Sequence, residues 1–159
     1  MKGGEYPGEL KLDNQLCYII HRLDQAIVAR YRPLLDELSL TYTQYIAMLV
    51  LWEKEDMTIG ELCTALYLDT GTVSPLAKRL EKAGLVWRKR DENDERTVRI
   101  GLTDEGRSLR QSAHAIPAAI ASCLLSGEQE YRDVRQMLTG LLSRVDNGPH
   151  DGGKEGKPL

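Results

Sequence analysis

Phenylalanine is absent from this 159-residue chain, and aromatic side chains make up only 6% of it. The core must therefore be aliphatic, with seven tyrosines and two tryptophans at chosen places. Cysteine is scarce as well. Three cysteines, an odd number with no C-x-x-C pair, exclude both a disulfide scaffold and a zinc site. His21, His114 and His150 are scattered without metal-ligand spacing, so neither a metal nor another cofactor is expected. No stretch is long and apolar enough to cross a membrane, and MKGGEYPGEL lacks the apolar core of a signal peptide. The expectation is a cytoplasmic protein with no membrane partner. A strong charge of either sign is also missing, since the formal net charge is only −3.

Charge is nevertheless local. Between Lys78 and Arg99 eight basic residues face five acidic ones, a surplus of +3 that leaves −6 for the remainder. A DNA-binding face on an acidic body is compatible with that asymmetry without being demanded by it.

The chain is organised around Thr58 to Thr103. Thr58 and Glu61 have the T-x-x-E spacing of a capping box, which predicts a helix running to about Leu66. Ile59, Leu62, Cys63 and Leu66 follow the i, i+3, i+4, i+7 rule and give it one buried face. Residues 67–71 break the pattern and make a turn. A second helix is predicted to about Ala83, with Val73, Leu76, Ala77 and Leu80 inward and Gly84 as its C-terminal cap. Its start is open between two caps. With Thr72 as N-cap, Pro75 falls in the first turn, where its missing N–H costs nothing; with Thr70, one early ladder bond is lost. Leu85–Arg90 and Thr97–Leu102 read as strands joined by the polar turn 91–96. Thr103 then caps a further helix, with Asp104 and Glu105 in its first turn.

KRLEKAGLVWRKRDENDERTVRIGLTDEG resembles the recognition helix and wing of MarR-family transcription regulators, including the D-x-R of the wing at Asp94–Arg96. LTYTQYIAMLVLWE and LYLDTGTVSPLAKRLE resemble the OhrR branch of that family, the thiol-based sensors of organic hydroperoxides. The resemblance covers roughly residues 13–145. It implies a mainly α fold with a small β-hairpin wing (α+β), a winged helix-turn-helix over 43–103. Dimerisation helices are expected over 12–35 and 104–145. It also implies a homodimer that represses by holding palindromic double-stranded operator DNA. Thr70, Gly71, Thr72, Ser74, Lys78 and Arg79 would then face the major groove. Arg96 would enter the minor groove, with Asp94 bracing it or the hairpin. Arg88, Lys89, Arg90 and Arg99 are at best generic phosphate contacts, and on its own such a run is more often a solvated surface.

The same resemblance assigns the redox-sensing role to Cys17, with Tyr31 and Tyr42 as hydrogen-bond donors to its sulfur and organic hydroperoxide as the signal. Against it stands the bland reading of a cysteine in a helix as a small buried hydrophobe. Cys17 and Tyr31 lie fourteen residues apart on one expected helix, about 21 Å at roughly 1.5 Å per residue, so they meet only across two subunits. By resemblance Cys123 is the resolving cysteine; it is equally a buried thiol. Cys63 sits on the apolar helix face and reads as structural.

Elsewhere, residues 1–11 read as a loose arm and 12–145 as a single domain. A long helix from about Asp13 to Leu35 carries Leu12, Leu16, Ile19, Leu23 and Ala26 on one face and ends or kinks at Pro33. Thr43 caps a core helix through Trp52. A helix over 104–125 is kinked by Pro117. Ser126 and Gln129 have capping-box spacing ahead of a last helix to Val145, and 146–159 reads as a disordered tail. A protein-binding winged helix is one rival, though its surface would not need the D-x-R wing, and two further rival functions remain. One is a MarR-type regulator taking a small aromatic or phenolic ligand, with its cysteines inert. The other is a thiol peroxidase, disfavoured because no site for a departing alkoxide is evident. A regulator that is not an enzyme is expected.

Overall fold

Two reciprocal capping boxes and one aspartate cap punctuate the chain and decide where three of its helices begin. The computed structural model describes residues 8–92 and 94–147. Among them are seven α-helices: α1 Leu16–Asp36, α2 Tyr42–Lys54, α3 Ile59–Leu66, α4 Thr70–Lys82, α5 Asp104–Ala113, α6 Ile116–Leu124 and α7 Glu128–Asp146. Three strands, β1 Asp56–Thr58, β2 Val86–Arg90 and β3 Val98–Leu102, form an antiparallel sheet in the order β1-β3-β2. The fold class agrees with expectation: mainly helical with a small wing.

The expected Thr58–Glu61 box forms in full. The Glu61 backbone N–H donates to Thr58 Oγ1 at 3.1 Å, and the Thr58 N–H donates to Glu61 Oε2 at 2.7 Å. A second box does the same for α2, but at Thr41 and Gln44 rather than at Thr43. The third cap is Asp69, which starts α4 at Thr70 and overturns both Thr70 and Thr72 as N-cap. Pro75 is thus the sixth residue of the helix, and the Gly71 carbonyl loses its ladder donor.

Further boundaries differ from expectation. Helix α1 begins at Leu16 after a 3-10 turn at Leu12–Asn14, and it continues through Pro33 to Asp36. Gly8–Leu10 of the expected arm forms another 3-10 turn, while residues 1–7 lie outside the described residues. The span 104–125 is two helices, α5 and α6, with the break at His114–Ala115 ahead of Pro117. The Ser126–Gln129 box does not form. Gly127 is the N-cap of α7, and the Ser126 N–H donates instead to Glu130 at 2.6 Å. Helix α7 takes in Asp146, and residues 148–159 of the expected tail lie outside the described residues.

Strand β1 was not expected. Three residues, Asp-Met-Thr, pair with β3 as Asp56↔Gly101, Met57↔Ile100 and Thr58↔Arg99, so the wing hairpin is anchored to the start of α3. The β2–β3 register runs from Val86↔Leu102 to Arg90↔Val98.

The chain divides after Pro117 into two compact units. The first holds an aliphatic core in which Met48, Leu51, Leu62, Val73, Leu80 and Ile100 are completely buried. Glycine is required at one contact within it. A Cβ on Gly106 would lie 2.0 Å from the Leu85 carbonyl oxygen, so only glycine lets α5 approach the residue that leads into β2 this closely. The Gly106 carbonyl accepts the Trp52 indole N–H at 2.7 Å, which fixes α5 to α2. In the second unit, α7 buries none of its nineteen residues. No helix among the described residues is long and apolar enough to cross a membrane.

Candidate nucleic-acid interface and thiol site

Helix α4 turns Val73, Leu76, Ala77 and Leu80 into the core, which leaves Thr70, Gly71, Thr72, Lys78 and Arg79 exposed and Ser74 half-buried. Its first turn is tightly organised. Asp69 Oδ1 accepts the Thr72 backbone N–H at 2.9 Å and Oδ2 accepts the Thr72 hydroxyl at 3.0 Å. These bonds, the hydroxyl's first, hold the Asp69 carboxyl below its ordinary range. The Thr72 hydroxyl proton is thereby engaged, which leaves the hydroxyl oxygen to act as an acceptor. Gly71 suits the cap because a Cβ there would sit 2.8 Å from Asp69 Oδ1.

The wing is braced by Asp94. Its carboxylate accepts the Arg96 backbone N–H at 3.0 Å and the Thr97 hydroxyl at 2.9 Å, and both bonds pull its proton affinity down. Arg96 is exposed, and among the described residues its guanidinium has no protein partner. The other basic residues of the wing differ. Arg88 is largely buried and pairs with Glu81 at 3.3 Å. Arg99 bridges Asp56 and Asp91, tying the sheet together. The Arg90 guanidinium donates to the Glu95 carbonyl at 3.0 Å, and Lys89 lies 5.2 Å over the Trp87 ring. Arg88 and Arg99 are thus structural cations. Thr70, Ser74 and Arg96 line one notch of about 340 Å³ between α4 and the wing.

The proposed thiol site is assembled only in part within one chain. Tyr31 of α1 and Tyr42 of α2 touch, with ring centroids 5.0 Å apart, and Tyr45 packs 5.7 Å from Tyr31. Tyr45 is buried, and burial first, then the Tyr31 and Tyr42 phenols, push its pKa up to about 12. Burial and then the Asp24 carboxylate raise the Tyr42 phenol too, so both stay protonated donors at neutral pH. Beside Tyr42 lies a cavity of about 540 Å³, lined by Val28, Leu35 and Leu40 with Asp24 and Arg32 among its polar groups. Cys17 is exposed at the second residue of α1. By helix rise it is about 21 Å from Tyr31, so one chain does not bring them together. Cys123 is exposed on α6. Cys63 is half-buried, with its sulfur 3.8 Å from the Thr70 hydroxyl. No cluster of metal-ligating side chains occurs among the described residues. Sequence reasoning missed Asp69 and Asp24. The first had a signal, an aspartate three residues ahead of a threonine at a helix start; the second had none, because its role depends on α2 packing beside it.

A winged head with an exposed, capped reading helix and an unpaired arginine at the wing defines a class, the winged-helix transcription regulators. The family model for the transcriptional regulator SarA/Rot matches residues 29–112. The organic hydroperoxide resistance transcriptional regulator of Bacillus subtilis is 41% identical over 86% of this chain and 91% of its own length. The HTH-type transcriptional regulator TtmR of Methylorubrum extorquens is 46% identical over 85% of this chain and 68% of its own. Among solved structures, reduced AbfR bound to DNA superposes with a TM-score of 0.75 at 32% identity, covering 88% of this chain and 96% of AbfR. AbfR is a Staphylococcus epidermidis protein, and its disulfide-formed state matches with a TM-score of 0.60. The chain belongs to the MarR-type family of transcription regulators, in the OhrR-like part of it.

Proposed function

We propose that this regulator is a homodimeric repressor that releases its operator when Cys17 is oxidised by an organic hydroperoxide. The observation that carries this reading is the Tyr31–Tyr42 pair beside an apolar cavity, with exposed Cys17 at the far end of the same helix. In a dimer, Tyr31 and Tyr42 of one subunit donate to the Cys17 thiolate of the other. Two hydroxyl donors favour the charged sulfur and keep it nucleophilic. The B. subtilis relative, named for organic hydroperoxide resistance, supports the same signal.

The chemistry balances without a cofactor. The Cys17 thiolate attacks the distal peroxide oxygen, the O–O bond breaks, and the alkoxide leaves as an alcohol after taking a proton. Cys17 becomes a sulfenic acid. The Cys123 thiol of the partner then attacks that sulfur, an S–S bond forms and water leaves. On DNA, Thr70, Gly71, Thr72, Ser74, Lys78 and Arg79 face the major groove and Arg96 the minor groove, with Asp94 as brace. Moving such a dimer from bound to free takes on the order of 5 kcal/mol of differential stabilisation, which a covalent link between subunits supplies.

The test is an operator-shift assay with and without cumene hydroperoxide. Wild type releases DNA on oxidation, and Cys17→Ser stays bound. Tyr31→Phe and Tyr42→Phe bind DNA but oxidise more slowly. Cys123→Ser loses the dithiothreitol-reversible dimer band on a non-reducing gel, whereas Cys63→Ser keeps it. Release of Cys17→Ser at the wild-type dose ends the thiol-sensor reading and favours a small-ligand regulator.

A further inference from the structure

Helix α3 ends on a tyrosine where a glycine belongs. Tyr67 has φ 54° and ψ 39°, the left-handed conformation that L side chains adopt reluctantly because Cβ crowds a backbone carbonyl. The Tyr67 N–H bonds back to Thr64 and the Leu68 N–H to Cys63 at 3.0 Å, the pattern whose central position glycine usually fills. Two other non-glycine residues among those described have positive φ, Ser39 and Glu55. Ser39 is a short polar residue in a turn. Glu55 has a return within the fold, because its carboxylate binds Arg107 at 2.8 Å and its carbonyl accepts the Leu102 N–H. Tyr67 has none: its ring is 84% exposed, and its hydroxyl has no partner among the described residues.

An exposed aromatic alone is ordinary. Here it coincides with an unfavourable backbone conformation that a smaller residue relieves, in the turn that leads into α4. Asp69 caps α4 two residues later, and Thr70 and Gly71 are exposed on the same end. When the N-terminus of a recognition helix enters the major groove, the turn just ahead of it lies against the groove wall, where the phosphates run. A tyrosine suits that wall, with an apolar ring for the sugar and a neutral hydroxyl donor for a phosphate oxygen.

We propose that Tyr67 is a DNA-backbone contact, donating its hydroxyl to a phosphate beside the half-site and so setting how α4 seats in the groove. This rests on the DNA-reading role assigned to α4. A neutral donor adds affinity without displacing a counterion and without reading sequence. Its signature therefore differs from that of Lys78 or Arg79.

The experiment uses the full-length reduced protein and a duplex that wild type selects from a random library. Binding of that duplex and of an unrelated one is titrated across salt concentrations for wild type, Tyr67→Phe and Tyr67→Gly. Tyr67→Phe should weaken both duplexes by the same factor, roughly tenfold or more, as expected for one lost hydrogen bond to a charged group. Tyr67→Gly should weaken them at least as much while raising the melting temperature of the free protein. The slope of log affinity against log salt should match wild type. Variants that bind within about twofold of wild type overturn the proposal, as does a Tyr67→Gly protein that melts earlier or a loss confined to the selected duplex. If wild type selects no duplex, the DNA-reading assignment falls first and Tyr67 with it.

Discussion

The winged head and the helices that flank it are built on opposite plans. In the head, α3 and α4 each place a continuous apolar face inside, and Leu62, Val73 and Leu80 are fully enclosed. Helix α7 encloses nothing, leaving Met137, Leu142 and Val145 at 59%, 57% and 69% exposure. Helix α1 buries only Leu35, while Leu16, Ile19, Ile20 and Leu23 stand in solvent. The head is a finished core; the flanking helices carry an apolar face that awaits another surface. The proposed homodimer draws on these exposed apolar side chains of α1 and α7, and the proposed DNA reading on the head alone.

The largest effect separates the two plans by stability. Leu62→Ala should cost the head about 2–5 kcal/mol in urea denaturation, since it opens a cavity in a closed core. Leu142→Ala should leave the head within about 0.5 kcal/mol of wild type and weaken self-association in sedimentation equilibrium. If both variants destabilise the head alike, the contrast is wrong. A smaller effect separates them by function. Arg96→Ala should weaken operator binding about tenfold without lowering the melting temperature. Arg144→Ala on α7, whose side chain donates to the Gly140 carbonyl, should bind as wild type in the same titration.

The smallest effect is acid sensitivity. Glu61, Asp69 and Asp94 all have carboxyls held below their ordinary values by hydrogen bonds, each to a backbone N–H and a threonine hydroxyl. Each binds its proton less readily folded than unfolded. Their stabilisation is therefore complete above the ordinary carboxylate range near about 4 and fades as pH falls through the lower folded values. Exchange protection at the Thr58, Thr72 and Arg96 amides, which these carboxylates accept, should fall in that window ahead of protection at the core residues Leu51 and Ile100.

Much of the head was legible because its signals are local. Thr58 and Glu61 sit three residues apart, and the D-x-R turn contains its own brace. What was missed is non-local or competitive. Strand β1 is three residues long, and its partner on β3 lies more than forty residues away, so no window of sequence displays it. Thr41 outcompeted Thr43 because only Thr41 has Gln44 three residues on to complete the box. Ser126 lost the α7 cap because Glu130 reached its N–H first. Pro33 did not end α1, since a single missing ladder bond did not outweigh the burial of Leu35 two residues later. The thiol site was legible only as a list of residues. Its tyrosines converge through packing of α1 on α2, and its cysteine stands at the other end of α1.

The aromatic residues also give the molecule a built-in optical gauge. Tyr31 lies tilted against both Tyr42 and Tyr45, with ring centroids 5.0 and 5.7 Å away, and Tyr45 meets Trp52 edge-on at 6.3 Å, with the Trp52 indole pinned to the Gly106 carbonyl. Light absorbed by the phenols passes down that row to one indole, while the second tryptophan, Trp87, lies in the wing beneath Lys89. With Trp87 replaced, the emission of Trp52 follows the state of the tyrosine row; with Trp52 replaced, that of Trp87 follows the wing. The two ends of the head can thus be watched separately by their own fluorescence, with no label attached.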